Sequence, residues 1–233
     1  MRDHYDFSKM KGKRNPFTSY LKQSVKMSAN EALERLKLGN QRFVQGDPND
    51  RLLNSQRRRS ELVDEQKPFA IILGCSDSRV PAEIIFNQGL GDLFVIRVAG
   101  NIVAPSLIGS IEFAAEKFGT RLVVVLGHST CGAVLATLDE LERPSEQRSP
   151  NLRAIVDYIR PSIAELLQTD LRHDKAALVH HAVRANIRAS VNHLRHGSRI
   201  LENLMQHDGL LVVGAEYSLA TGKVDFFDHS PLD

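Results

Sequence analysis

Tryptophan is absent from the 233 residues of this chain, and cysteine occurs only twice. Two cysteines are too few for the disulfide frameworks that stabilise small secreted domains. We therefore expect both thiols to be free, in a reducing compartment, and we expect the protein to be cytoplasmic.

The chain also lacks a strong excess of either charge and lacks long apolar runs. A formal net charge of +2 gives no basis for expecting nucleic acid as a partner. No apolar run approaches the roughly 18 residues that a membrane-spanning helix needs. The first residues lack the apolar core and cleavage site of a secretory signal. We expect residues 1–27 to form a partly ordered extension and residues 28–233 to form one main domain.

Three short apolar runs predict buried strands: FAIILG (69–74), DLFVIRV (92–98) and RLVVVLG (121–127). A helix is predicted between the last two strands and is stopped by Gly119. The order strand, crossover, strand, helix, strand is typical of a mainly parallel sheet with helices on its faces. No Gly-x-Gly-x-x-Gly follows the first strand, so a dinucleotide site is not supported.

The remaining elements follow from caps, breakers and periodicity. Ser28 and Glu31 form a capping box that starts a helical N-terminal arm, and Gly46 with Pro48 ends that helix. Thr221-Gly222 predicts the turn of a C-terminal β-hairpin. The further helices that we expect are 56–63, about 132–142, 152–168 with an interruption at Pro161, and 175–196. A polar loop is expected over 143–151.

Polar side chains with metal-binding chemistry directly follow two of the predicted strands. Gly74 precedes Cys75, and Gly127 precedes His128, which begins a His-x-x-Cys pair ending at Cys131. Ligands of open parallel sheets bind just beyond the carboxyl ends of the strands. Two thiolates and one imidazole are a zinc ligand set. A buried apolar role for the cysteines, or a metal-free Cys-His nucleophile, stays open at this point.

Two further side chains follow the first cysteine. Three protein ligands leave one zinc position open, as in catalytic sites, where a bound water reaches a pKa of about 7. Asp77 is placed to accept the proton of that hydroxide, and Arg79 is placed to keep Asp77 ionised. The alternative interpretation of Asp77 and Arg79 is a structural ion pair in a turn.

The stretches CSDSRVPAE (75–83) and GHSTCGAV (127–134) together resemble the β-class carbonic anhydrases, from about Glu31 to the final hairpin. The resemblance implies an α/β fold and a homo-oligomer, either a dimer or a dimer of dimers. It implies one Zn²⁺ per chain, bound by Cys75, His128 and Cys131. The implied reaction is the reversible hydration of CO₂ to bicarbonate and a proton by zinc-bound hydroxide, which an Asp77–Arg79 dyad orients.

The resemblance also implies a substrate pocket. Gln66 matches a glutamine that contacts substrate across the dimer interface in the plant-like branch of the family. Val80 and Phe94 match apolar pocket walls, and Phe113 falls where that branch often has tyrosine. Alternatively, Gln66 is a plain loop residue, and the two phenylalanines belong to an ordinary core.

Another branch of the family closes its zinc site with the aspartate and uses a tryptophan near the first ligand for regulatory bicarbonate. This chain has Ile72 at the matching position, and Arg97 matches an arginine that both branches carry. We therefore expect the open-site, plant-like type. Hydrolysis of a CO₂ analogue such as CS₂ or COS, and a non-catalytic zinc scaffold or bicarbonate-binding protein, remain as alternatives, as does a metal-free cysteine enzyme.

Overall fold

The computed structural model describes residues 27–47, 55–142 and 149–228, and its centre is a five-stranded sheet. The strands are β1 Ala70–Gly74, β2 Leu93–Arg97, β3 Leu122–His128, β4 Leu211–Tyr217 and β5 Val224–Asp228. Their order is β2-β1-β3-β4-β5; the first four are parallel, and β5 runs antiparallel to β4. The prediction of a mainly parallel α/β fold with a C-terminal hairpin is confirmed.

Helices flank the sheet on both faces. They are α1 Ala29–Gln45, α2 Ser55–Glu61, α3 Ala82–Ile85, α4 Pro105–Lys117, α5 Gly132–Glu142, α6 Pro150–Ile163, α7 Lys175–His196 and α8 Arg199–His207. Short 3₁₀ turns occupy Ala99–Asn101, Ala164–Gln168 and Asp170–His173. Within the described residues, no helix is both long enough and apolar enough to cross a bilayer.

The central strands are apolar on both sides because both sides are covered. Every residue of β1 and β3 is buried, as expected for strands between two helical layers. The side chains on one face of the sheet, which include Ile71 and Val125, pack against helices α4 to α8. The alternate set, which includes Ile72 and Val124, packs against α1 and α3.

The predicted start and end of α1 are confirmed. Ser28 accepts a hydrogen bond from the backbone N–H of Glu31, whose carboxylate accepts from the backbone N–H of Ser28. Gly46 ends the helix in the left-handed conformation, with φ of 71°. Pro48 and the predicted extension up to residue 26 lie outside the described residues.

Three features of the helical half differ from the prediction. The polar loop ends earlier than expected, because Ser149 caps α6 and Pro150 occupies its first turn, where a missing N–H costs nothing. Pro161 does not interrupt the helix, which continues to Ile163 before it tightens into the 3₁₀ turn. Helix α8, which the sequence analysis missed, is capped by Ser198.

Candidate metal centre and its surroundings

The carboxyl ends of β1 and β3 bring the predicted ligands together. The two strands are paired in parallel, with Gly74 opposite Leu126, so both strands end at the same edge of the sheet. Cys75 follows β1 directly, and His128 is the last residue of β3. Cys131 immediately precedes α5, and its carbonyl accepts a hydrogen bond from the backbone N–H of Leu135 in that helix.

Cys75, His128 and Cys131 form a buried cluster with the dimensions of a tetrahedral metal site. Their side chains offer three ligand atoms within 4.8 Å of one another. The two Sγ atoms lie 3.9 Å apart. Two sulfurs bound to one tetrahedral zinc at about 2.3 Å would stand about 3.8 Å apart. The spacing is far longer than a disulfide bond, and both cysteines are free.

The imidazole of His128 is oriented for a cation. Its Nδ1 lies 3.0 Å from the carbonyl oxygen of Ser129, to which it donates a hydrogen bond. The lone pair is therefore on Nε2, which is buried and has no hydrogen-bond partner in the described part of the chain. A buried unpaired acceptor is costly, and a metal ion would satisfy it. The donor set therefore fits zinc.

The two thiols are electrostatically unequal without a metal. A hydrogen bond from the Cys131 thiol lowers the pKa of Cys75, with help from the backbone N–H of Gly100. The same interaction and burial raise the pKa of Cys131, against the backbone N–H groups of Ala133 and Val134 at the start of α5. The two sulfurs therefore disfavour ionisation of each other, and a cation between them would favour the thiolate form of both.

Asp77 lies beside this cluster and is held by Arg79. The guanidinium donates from Nε to Oδ1 at 2.9 Å and from Nη2 to Oδ2 at 2.7 Å. The backbone N–H of Arg79 adds a third bond to Oδ1, at 3.0 Å. These hydrogen bonds hold the pKa of Asp77 well below its usual range. Oδ2 is 3.9 Å from Nε2 of His128, so an ionised carboxylate faces the candidate metal position.

Arg97, at the end of β2, fixes the backbone that carries these groups. Its Nε donates to the carbonyl oxygen of Cys75 at 3.0 Å, and its Nη2 donates to that of Asp77. The sequence indicates Arg97 only as a match to the family and does not predict this contact. No local signal could have revealed it, because the donor lies 20 and 22 residues beyond its acceptors.

The turn between His128 and Cys131, two of the predicted ligands, is held by the hairpin. Thr130 has a left-handed backbone, with φ of 53°, which is uncommon for a β-branched residue. The N–H of Ser129 donates to the carbonyl of Tyr217, and the Ser129 hydroxyl accepts from the N–H of Leu219. The end of β4 therefore stabilises the backbone from which His128 and Cys131 project.

The predicted pocket residues divide into two groups. Val80 is buried and directly follows Arg79 in the sequence. The ring centroids of Phe94 and Phe113 lie 6.4 Å apart. Phe113 is 52% exposed in the single chain, which is unusual for so large an apolar group. Gln66 is exposed and precedes β1, whereas Cys75 follows that strand, so the two residues stand at opposite ends of β1.

Comparison with known proteins gives one consistent result. The family profile described as "Carbonic anhydrase" matches residues 70–224. The carbonic anhydrase of Mycolicibacterium smegmatis is 41% identical over 201 residues, which cover 85% of this chain and 93% of that protein.

Solved structures agree with this result. The β-carbonic anhydrase CafA of Aspergillus fumigatus is similar with a TM-score of 0.66 and 27% identity, covering 75% of this chain and 83% of that one. A chain from the structures of two tetrameric β-carbonic anhydrases of Sordaria macrospora is similar with a TM-score of 0.63 and 26% identity, covering 74% and 87%.

Proposed function

This chain belongs to the β-class carbonic anhydrase family and is a carbonic anhydrase, and from that premise we propose that it interconverts CO₂ and bicarbonate with one zinc ion held by Cys75, His128 and Cys131. The observation that carries the proposal is the buried cluster itself. Two sulfurs at tetrahedral spacing face an unpaired Nε2, and an ionised carboxylate lies 3.9 Å from that nitrogen. When bound there, zinc supplies Lewis acidity that lowers the pKa of water to about 7.

Asp77 and Arg79 orient the nucleophile in this proposal. A carboxylate with a depressed pKa stays a hydrogen-bond acceptor throughout the neutral range. Since Arg79 occupies both carboxylate oxygens, rotation of Asp77 is restricted, and its remaining lone pairs point in fixed directions. Asp77 therefore accepts a hydrogen bond from the attacking water and holds its oxygen toward the carbon of CO₂.

The same three hydrogen bonds favour the open-site branch. For Asp77 to become a zinc ligand, it would have to give up its bonds to Arg79. We propose that it keeps them at neutral pH. A crystal structure of the zinc protein at pH 7 with an Asp77 oxygen within about 2.2 Å of the metal would contradict this assignment.

The apolar part of the pocket is completed by a second copy of the chain. CO₂ has no charge and forms only weak hydrogen bonds, so its binding depends on apolar side chains that line the pocket, here Val80, Phe94 and Phe113. Five-residue β1 spans about 15 Å, which separates Gln66 from the zinc position of its own chain. We propose that Gln66 serves the site of the partner in a homodimer, or in a dimer of dimers like the tetrameric Sordaria macrospora enzymes.

The domain limits and the compartment also stay proposals. We assign the zinc domain to residues 28–233 and a separate extension to residues 1–27. The two buried free thiols are compatible with a reducing cytoplasm, where they would remain available to zinc.

The test combines zinc analysis with stopped-flow CO₂ hydration between about pH 6.5 and 9. We expect one zinc per chain and rapid turnover near neutral pH. Asp77→Asn should retain zinc and lose roughly 100-fold or more in kcat, the range for removal of a proton-handling group. Asp225→Asn is the matched control, because Asp225, on β5 of the hairpin, also pairs with an arginine, Arg184 of α7.

Each other outcome contradicts a part of the proposal. Zinc binding without CO₂ turnover would leave CS₂ or COS as the substrates to assay next, and after them a scaffold or bicarbonate-binding role. Turnover that starts only above about pH 8 would retain the lyase and reverse the choice of the open branch. Purified protein without zinc would favour a metal-free thiol enzyme.

A further inference from the structure

Helix α7 carries two buried polar side chains on its core-facing side. Asn186 is 2% exposed and Ser190 is 5% exposed, and they lie one helical turn apart. Their neighbours on this face, Ile187 and Val191, are apolar and fully buried. Polar groups are costly at such positions unless they are hydrogen-bonded, so their partners identify what they do.

Both side chains bind the same loop. Asn186 Nδ2 donates to the carbonyl oxygen of Gly100 at 2.8 Å, and Ser190 Oγ donates to that of Asn101 at 3.0 Å. Gly100 and Asn101 both have left-handed backbones, with φ of 72° and 44°. Glycine adopts this conformation without a penalty, but it is uncommon for a non-glycine residue such as Asn101, and the hydrogen bond from Ser190 to its carbonyl helps to hold it there.

The loop that Asn186 and Ser190 hold contacts a proposed zinc ligand, Cys75. The backbone N–H of Gly100 lies 3.4 Å from Cys75 Sγ and donates a hydrogen bond to it. The site is tight, because a Cβ on Gly100 would lie 2.7 Å from Cδ1 of Ile159, and that side chain would have to move. The carbonyl that Asn186 holds and the N–H that donates to sulfur lie in the two peptide planes that meet at Cα of Gly100, so the contact with α7 restricts where this N–H can lie.

Helix α7 also meets the strand that carries the second ligand. A Cβ on Gly127 would lie 2.5 Å from Cδ1 of Ile187, so the helix packs directly on the residue that precedes His128. The same turn of α7 therefore contacts the loop that donates to Cys75 Sγ, through Asn186, and the strand that ends in His128, through Ile187.

We propose that Asn186 and Ser190 are positioning residues for the zinc ligand Cys75 and act through the N–H of Gly100, an inference that rests on the zinc site of the proposed function. Neither residue touches a ligand or the substrate. An N–H···S hydrogen bond withdraws electron density from a thiolate, so the clamp weakens sulfur donation to the metal while it fixes the sulfur position. Loss of such outer-shell partners typically costs 10- to 100-fold in metal affinity.

The experiment measures zinc release into excess chelator from Asn186→Ala and Ser190→Ala. Matched controls are available elsewhere in the fold. Asn40→Ala removes a buried amide that donates to the carbonyls of Ile85 and Gly222, and Thr120→Val removes a buried hydroxyl that donates to the carbonyl of Pro68. A second readout is the near-ultraviolet thiolate-to-metal absorption band of the cobalt-substituted proteins, which reports on the sulfur donors directly.

We expect both α7 variants to release zinc at least 10-fold faster than wild type. Their cobalt–thiolate band should shift to longer wavelength, because a sulfur without its hydrogen bond is more easily oxidised. The two controls should keep the wild-type band and release rate. If Asn186→Ala does not fold, Ser190→Ala alone decides the proposal.

Release at the wild-type rate with an unshifted band, or equal acceleration in variants and controls, would overturn the proposal. Either result leaves the zinc enzyme intact. A wild-type protein that binds no zinc would instead contradict the proposed function itself, so the two failures are distinguishable.

Discussion

Arg79 holds both carboxylate oxygens of Asp77, two residues away, through two guanidinium hydrogen bonds and one backbone hydrogen bond. The Arg79 side chain is 58% exposed and the Asp77 side chain is 17% exposed, so the charge pair lies at the mouth of a buried cluster. Exposed ion pairs contribute little stability. The bidentate geometry instead restricts where the free lone pairs of Asp77 can point, which is a positioning role.

Replacement of Arg79 by alanine tests this role. The pKa of Asp77 would return toward its ordinary value of 3.8, which is still far below 7, so the carboxylate would stay ionised. Its charge is kept and its orientation is lost. We expect kcat to fall roughly 10- to 100-fold at neutral pH. The loss should be smaller at higher pH, because a freed carboxylate is itself a possible zinc ligand that hydroxide can displace.

The measurement is the pH profile of CO₂ hydration, with Arg79→Lys as the comparison. Lysine keeps the positive charge but cannot make the bidentate contact. The pH profile of Arg79→Lys should therefore be closer to that of Arg79→Ala than to that of the wild type. An alanine variant with full activity and an unchanged profile would show that Asp77 and Arg79 form an ordinary structural pair.

Substitution of the ligands tests the metal assignment without any activity assay. Cys75→Ser and His128→Ala should each lose stoichiometric zinc, since a structural or catalytic zinc site needs at least three protein donors. Elemental analysis of the purified proteins checks this. His180→Ala is the control, because His180 is 54% exposed and its Nε2 faces Glu216 instead of the cluster. Full zinc content in either ligand variant would contradict the assignment.

The sequence was most informative where function depends on short-range pattern. An apolar strand followed by glycine and a polar side chain indicates a strand end, and two such ends in a parallel sheet share an edge. This pattern predicts that Cys75, His128 and Cys131 lie together, and in the structure their ligand atoms are within 4.8 Å of one another. Their roles as ligands stay predictions until zinc is measured.

What the sequence did not reveal depends on distant parts of the chain. Arg97, Asn186 and Ser190 act on backbone carbonyls, which carry no side-chain signature. A buried asparagine interrupts the apolar face of a helix, and its role is recognised only when its hydrogen-bond acceptor is known. Pro161 was expected to interrupt α6, but it lies near the end of the helix, which continues only two residues further before the 3₁₀ turn.

Gly39 provides a stability prediction for the α1 layer. A Cβ at this position would lie 1.9 Å from the carbonyl oxygen of Phe86, so α1 would have to move away from the end of α3. We expect Gly39→Ala to destabilise the protein by at least about 2 kcal/mol, the scale of forced overpacking against a backbone. Urea unfolding at one fixed protein concentration measures the change.

Gly46→Ala separates steric overlap from backbone strain. Gly46 caps the same helix at its C-terminal end, and a Cβ there would meet nothing within 4 Å, although φ is +71°. Only the left-handed backbone penalises alanine at this position, by about 1–2 kcal/mol. A Gly39→Ala variant that is no less stable than Gly46→Ala would show that α1 does not pack this closely on α3.

Subunit complementation tests whether Gln66 serves its own site or that of a partner. In a mixed dimer of Gln66→Ala and Asp77→Asn chains, a cross-subunit glutamine leaves one site with a native Asp77 and a native Gln66, and it concentrates both defects in the other site. If Gln66 acted within its own chain, both sites would be defective.

We therefore expect the purified mixed dimer, isolated through a different tag on each chain, to recover about half of the wild-type kcat, since one of two sites is restored. Each homodimer alone should remain impaired. A mixed dimer no more active than the average of its two parents would contradict the shared site. That result would also remove the reason to expect that a second copy of the chain covers the half-exposed side chain of Phe113.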